Sequence, residues 1–133
     1  MKITPQRERL KLARQFIDHN YDLPITLDRI SDEAGFSPYH FIRLFRAAYR
    51  RTPHQYLVQR RIDQAKDLLG SSDLSIHDIC FQVGFESLGS FSSLFRRVTG
   101  LTPSAYRRSK QRRTQPAYIP LCHRFARGLD DES

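Results

Sequence analysis

Apolar residues recur every three to four positions along most of the chain, which is the signature of amphipathic helices. From Gln6 to Asn20 the positions Leu10, Leu12, Ala13, Phe16 and Ile17 predict a first helix, stopped near Asn20 with Pro24 beyond. Thr26 is placed to cap a short second helix, LDRISDEA over 27–34, in which Leu27, Ile30 and Ala34 share a face. Gly35 suits the left-handed turn that ends it. Ser37-Pro38 reads as an N-cap with proline at the first helical position, and Phe41, Leu44, Phe45 and Ala48 form the inward stripe of a third helix over 38–49. Thr52-Pro53 repeats that cap signal, with Gln55 at the capping-box position. Tyr56, Leu57, Ile62, Ala65, Leu68 and Leu69 then carry a fourth helix over 53–69, roughly 25 Å long. Gly70-Ser71-Ser72 breaks it.

The second half repeats the first. LDRISDEAGF (27–36) aligns with IHDICFQVGF (76–85), and SPYHFIRLFRAAYRRTPHQY (37–56) aligns with SLGSFSSLFRRVTGLTPSAY (87–106), with Glu86 inserted. The alignment holds eleven identities, among them Gly35/Gly84, Phe36/Phe85, Phe41/Phe91, Phe45/Phe95, Arg46/Arg96 and Thr52-Pro53/Thr102-Pro103. Shared capping and core needs explain single positions, but not an order kept over thirty. The organisation expected is a first subdomain over 1–52, a connecting helix over 53–70, a second subdomain over 71–113 and an irregular tail over 114–133.

Charge changes the picture. The chain of 133 residues carries 22 Lys and Arg against 14 Asp and Glu, a net +8, and most of the positive residues are Arg. Arg forks onto phosphates and guanines, so a polyanion is the natural partner. Other chemistry is excluded. Cys80 and Cys122 show no metal or disulfide spacing, Cys122-His123 lacks a third ligand, and His19, His54 and His77 have no acid or nucleophile at a useful spacing. No enzyme, cofactor or metal is expected. Cys80, aligned with Ser31, should be a buried neutral thiol. No segment approaches the roughly 20 apolar residues of a membrane span, so no membrane partner is expected and a cytoplasmic protein is.

A short helix, a glycine turn and a second helix with a polar outer face form the helix-turn-helix pattern, whose second helix enters the major groove. Here it occurs twice. On these residues the chain resembles the DNA-binding domain of the AraC/XylS family of bacterial transcription regulators, over residues 7 to about 108. The most telling stretch is IHDICFQVGFESLGSFSSLFRRVTGLTPSAYR. The resemblance implies an all-α fold of seven helices, two homeodomain-like helix-turn-helix halves joined by a long central helix. It also implies binding to double-stranded DNA as a monomer, in the nucleoid, and activation through contact with RNA polymerase.

The candidate DNA-binding residues follow from the faces. On the first reader, Ser37, Tyr39, His40, Ile42, Arg43 and Arg46 lie off the inward stripe, and Arg50 follows it. Arg43 is the strongest base reader, because its fork matches the guanine O6 and N7. Ile42 either meets a thymine methyl or covers neighbouring helices. On the second reader the equivalents are Ser87, Gly89, Ser90, Ser92, Ser93 and Arg96, with Arg97 beside them. This reader departs from the family's longer polar side chains; short hydroxyls discriminate little between bases. Arg46, Arg50, Arg96 and Arg97 are assigned to phosphates. The run RRSKQRR (107–113) is either a solvated helix end or a phosphate-contacting arm, and the context favours the arm. Two other readings fit these residues: an interaction protein whose degenerate motif and tail residues Tyr118, Ile119, Leu121 and Phe125 hold a partner regulator, and a non-specific architectural DNA binder.

Overall fold

The computed structural model describes residues 5–114. The tail over 115–133, with Cys122, His123 and the four apolar tail residues, lies outside the described residues. Seven helices form: α1 (Gln6–Asn20), α2 (Leu27–Ala34), α3 (Pro38–Tyr49), α4 (Pro53–Ser71), α5 (Ile76–Gln82), α6 (Leu88–Thr99) and α7 (Pro103–Thr114). No strand occurs among the described residues.

The cap chemistry sets most of these ends. Thr26 accepts from the Arg29 amide at 3.1 Å. Gly35 takes the left-handed conformation at φ 76°, and the Phe36 amide returns to the Ser31 carbonyl at 3.0 Å. The repeat does the same with other residues: Gly84 sits at φ 105° and the Phe85 amide returns to the Cys80 carbonyl at 3.1 Å. Thr52 and Gln55 close a full capping box, with bonds of 2.9 and 3.1 Å. Ser37 stands at the N-cap of α3 but makes no side-chain capping bond, whereas Ser87 caps α6 by accepting from the Ser90 amide at 3.2 Å.

Two aromatic cores result. Phe41 and Phe45 pack with Leu10, Ala13, Ile17, Ile30, Ala34 and Leu57 in the first. Phe91 and Phe95 pack with Ile62, Ala65, Leu69, Ile79, Cys80, Val83 and Phe85 in the second. The geometry inside them repeats too: Phe41 and Phe45 stand 5.4 Å apart, Phe91 and Phe95 5.7 Å, and each second Phe meets a tyrosine edge, Tyr56 at 5.8 Å and Tyr106 at 5.5 Å. Buried Cys80 donates to the Ser87 carbonyl, and burial pushes its thiol up, so it stays protonated. Ser31, equally buried, donates to the Asp28 carbonyl instead.

Three expectations are corrected. Leu12 is 50% exposed and Ala48 is exposed, because α1 and α3 bury only the narrower stripes Leu10/Ala13/Ile17 and Phe41/Phe45. The central helix continues to Ser71, since a glycine at position 70 costs only about 1 kcal/mol and does not by itself stop a helix. The basic run 107–113 is helical, the form expected of a helix end. It continues α7, and Arg107 reaches back to the carbonyls of Leu69 and Ser72 at 3.1 and 3.2 Å, satisfying the end of α4.

Changing Phe45 or Phe95 to Ala is expected to cost about 3 to 5 kcal/mol each, read as a lower denaturant midpoint, because each fills the centre of a small core. A second prediction concerns Tyr56, whose hydroxyl donates to Asp18 at 2.7 Å. Burial first, and that bond second, push its pKa from 10 up to about 12. The folded value exceeds the unfolded one, so the stabilisation is complete below about pH 10 and disappears as pH rises towards 12. The stability difference between the native protein and Tyr56→Phe should therefore be constant below about pH 10 and shrink above it, measured by urea titrations across that range.

Candidate nucleic-acid interface

An α-helix turns about 100° per residue, so the faces of α3 and α6 follow from their buried phenylalanines. With Phe41 and Phe45 inward, Tyr39, Arg43 and Arg46 point away from the core, and all three are exposed. Tyr39 is 73% exposed, and the Arg43 guanidinium lies 5.9 Å from its ring centre, one turn on. An aromatic face beside a guanidinium limits its wandering and keeps its charge. His40 is exposed on the flank, edge-on to Phe36 at 5.8 Å. Exposed Arg50 caps the carboxyl end of α3.

Ile42 stands apart from this set. It is half-buried and lines an apolar cavity of about 290 Å³ with Ile25, Leu27, Ile30, Pro53 and Leu57, so it covers the neighbouring helices. Sequence periodicity did not decide this, because the position sits at the edge of the inward stripe.

The second reader has the same placement and poorer side chains. Gly89, Ser90, Ser93, Arg96 and Arg97 are exposed, while Ser92 is half-buried in the position of Ile42. Ser87 is exposed, with its hydroxyl engaged in the cap. A Cβ built on Gly89 would meet nothing within 4 Å, so packing gives no reason for glycine in the first turn of this helix.

Electrostatics join the two readers. Among the described residues the ion pairs are Arg29 with Glu33 and Arg60 with Asp18, neither on α3 or α6. The arginines of the reading faces thus meet no carboxylate, and no acid stands in the first turn of either helix. Between the readers, Arg50, Arg51, His54 and Arg97 line a shared depression with Gln55 and Gln59. Arg51 and His54 were missed from the sequence. Their signal was the cap junction itself, which places residues just before and just after Thr52-Pro53 beside the second motif.

Arg50 has a backbone peculiarity. It occupies the left-handed region at φ 62°, where its repeat partner is Gly100 at φ 87°. Among the described residues it is the one non-glycine residue with positive φ, a conformation that costs an arginine of order 1 kcal/mol.

Comparison with known proteins agrees with this geometry. A helix-turn-helix domain model matches residues 30–109. The regulatory protein SoxS of Salmonella typhimurium is 34% identical over 93 residues, covering 70% of this chain and 87% of its own. A transcriptional regulator of the AraC-type DNA-binding-domain proteins from Chromobacterium violaceum superposes with a TM-score of 0.73 at 29% identity, over 84% of this chain and 96% of its own. The DNA-binding domain of the global transcriptional factor AdpA, solved in complex with a target DNA, superposes with a TM-score of 0.71 at 28% identity, over 84% and 97%. The chain spans about a third of the length of the first curated relatives it matches. With two helix-turn-helix motifs on a seven-helix frame, a family model over most of the described residues and these relatives, the chain belongs to the AraC/XylS family of DNA-binding transcription regulators.

Proposed function

We propose that the chain reads duplex DNA sequence-specifically by inserting α3 and α6 into successive major-groove segments, with α4 and the basic depression following the backbone between them. The single observation that carries this is the pair of outward faces, uncovered and free of carboxylates, set on equivalent helices of two equivalent cores. In this reading Arg43, steadied by Tyr39, reads a guanine, and His40 and Ser37 act near the amino end of α3. Arg46, Arg50, Arg96 and Arg97, joined by Arg51 and His54, take phosphates. Ile42 belongs to packing. Gly89, Ser90 and Ser93 let α6 approach the groove closely but discriminate weakly, and Ser87 serves mainly as the cap. The two reading units are 1–52 and 71–113, with 53–70 as their link.

Resemblance extends the proposal to a cytoplasmic activator that binds DNA as a monomer and contacts RNA polymerase. Nothing in the geometry favours the rival reading of a partner-binding remnant, and its tail residues lie outside the described part of the chain.

The test is a binding series against single-base variants of a site selected from random duplex DNA. Arg43→Ala is expected to weaken the best site by about 1 to 3 kcal/mol and relax preference at one or two adjacent base pairs, while Ser93→Ala costs well under 1 kcal/mol. Arg46→Ala should weaken all sequences about equally. Specificity relaxed more by Ser93→Ala would place the dominant reader in α6 and overturn the assignment.

The strain at Arg50 generates a further expectation. Arg50→Gly should raise stability by about 0.5 to 1 kcal/mol in thermal melts, because glycine adopts the left-handed cap freely. The same variant should bind every duplex more weakly and lower the salt slope of log K by about one, as loss of one phosphate contact requires. An unchanged slope would remove Arg50 from the interface.

A further inference from the structure

The two glycine turns of the repeat are alike in backbone and different in surroundings. The atoms nearest to a Cβ on Gly35 would be those of the Arg9 guanidinium, with Nη2 at 3.1 Å. Arg9 comes from α1 of the same half, donates to the carbonyls of Ala34 and Gly35, and lies 4.0 Å from the Phe36 ring centre. A Cβ on Gly84 would lie 2.8 Å from the Tyr21 carbonyl oxygen and 3.1 Å from Asp22 Cα, both on the loop after α1 in the other half. Backbone thus touches backbone across the halves, an approach that only glycine permits.

Arg61 secures this contact. From α4 its Nε donates to the Tyr21 carbonyl at 2.6 Å and its Nη2 to the Leu23 carbonyl at 3.0 Å. The same guanidinium lies 5.8 Å from the Phe85 ring centre, beside the second turn. Tyr21 packs against both cores, and Arg60, paired with Asp18 at 3.1 Å, lies 4.8 Å from its ring centre. The repeat therefore keeps an arginine at each Gly-Phe turn. In the first half it closes the half on itself; in the second it reaches across.

The halves grip α4 unequally. Pro53 and Leu57 hold its first turns in the first half, whereas Ile62, Ala65 and Leu69 run along two turns in the second. Polar ties add to the apolar grip of the first half, Tyr56 and Arg60 both reaching Asp18 of α1, and the Arg61 bonds follow directly after them on α4.

We propose that the junction of Arg61, Gly84 and the Tyr21–Leu23 loop is a spacing gauge: it holds the two reading helices at one separation and makes the length of DNA between their half-sites a determinant of specificity. The inference rests on the two-reader function proposed above. When two modules are rigidly joined, the second engagement is favoured steeply at the matching spacing, and a looser joint spreads that advantage over neighbouring spacings.

The experiment measures affinity of the full chain for its selected site and for the same site with one base pair inserted or removed between the half-sites. In the native protein the matched spacing should win clearly. Arg61→Met keeps the stem over Phe85 and loses both donors, and should reduce the matched-to-mismatched ratio by about tenfold while affinity for a duplex holding only the first half-site stays unchanged. Arg61→Lys, with one donor site in place of two, should regain part of the preference. Gly84→Ala should loosen the ratio in the same direction. Simple destabilisation or lost positive charge lowers every affinity by one factor and leaves the ratio intact, so an intact ratio in a folded Arg61→Met protein overturns the gauge and spares the two-reader function. Absence of any spacing preference in the native protein overturns both.

Discussion

Both aromatic cores are built against one helix. Leu57 of α4 closes the first core, while Ile62, Ala65 and Leu69 of the same helix form a wall of the second. Each half is too small to bury its phenylalanines without that wall, since a domain of this size covers only a modest fraction of its apolar surface. The central helix is therefore more than a spacer. Its capping box at Thr52 and Gln55, its Arg107 partner at the far end, and the ion pair of Arg60 with Asp18 all act on the element that both reading helices depend on for position.

Duplication then separates support from recognition. The inward phenylalanines and the glycine turns are kept in the two copies, because the same small helix triad must be closed twice, while the buried pairs Ser31/Cys80 and Ala34/Val83 differ by a few atoms. The outward residues diverge: Tyr39 faces Gly89 in the alignment, Arg43 faces Ser93, and of the candidate contact residues only Ser37/Ser87 and Arg46/Arg96 agree. Support tolerates little change, as a methyl lost from a packed core is felt at once. A solvated face imposes no such constraint, so one scaffold carries two outward faces of different chemistry, long polar side chains on α3 and short hydroxyls on α6.

The cap of α3 shows the two requirements meeting at one residue. Helix geometry asks for glycine at position 50, as the second copy supplies at Gly100, yet arginine stands there with positive φ and an exposed side chain. Strain of this kind persists where the surrounding structure fixes the backbone. Here the next cap begins two residues later, and the connection has no slack.

By itself the sequence determined the number and order of helices through α4, the cap residues, the repeat and the basic character of the outward faces. These follow from local rules, because caps and helical periodicity act within a turn or two of the chain. It also placed Phe45 and Phe95 at the centres of their cores. Tertiary structure decided what depends on neighbours distant in the chain. Ile42 lies on the border of its stripe, and only the approach of α2 and α4 turned it into a packing residue. Ala48 and Leu12 obey the period but lie outside the buried stripes of their helices, and they stay exposed. The run at 107–113 reads as either a helix end or an arm until Arg107 finds the carbonyls at the end of α4. In the sequence Gly84 is the turn glycine that pairs with Gly35, and nothing local marks Arg61. Their role exists only where the loop after α1 folds back against the second half, a contact between positions about 40 or more residues apart that no local pattern encodes.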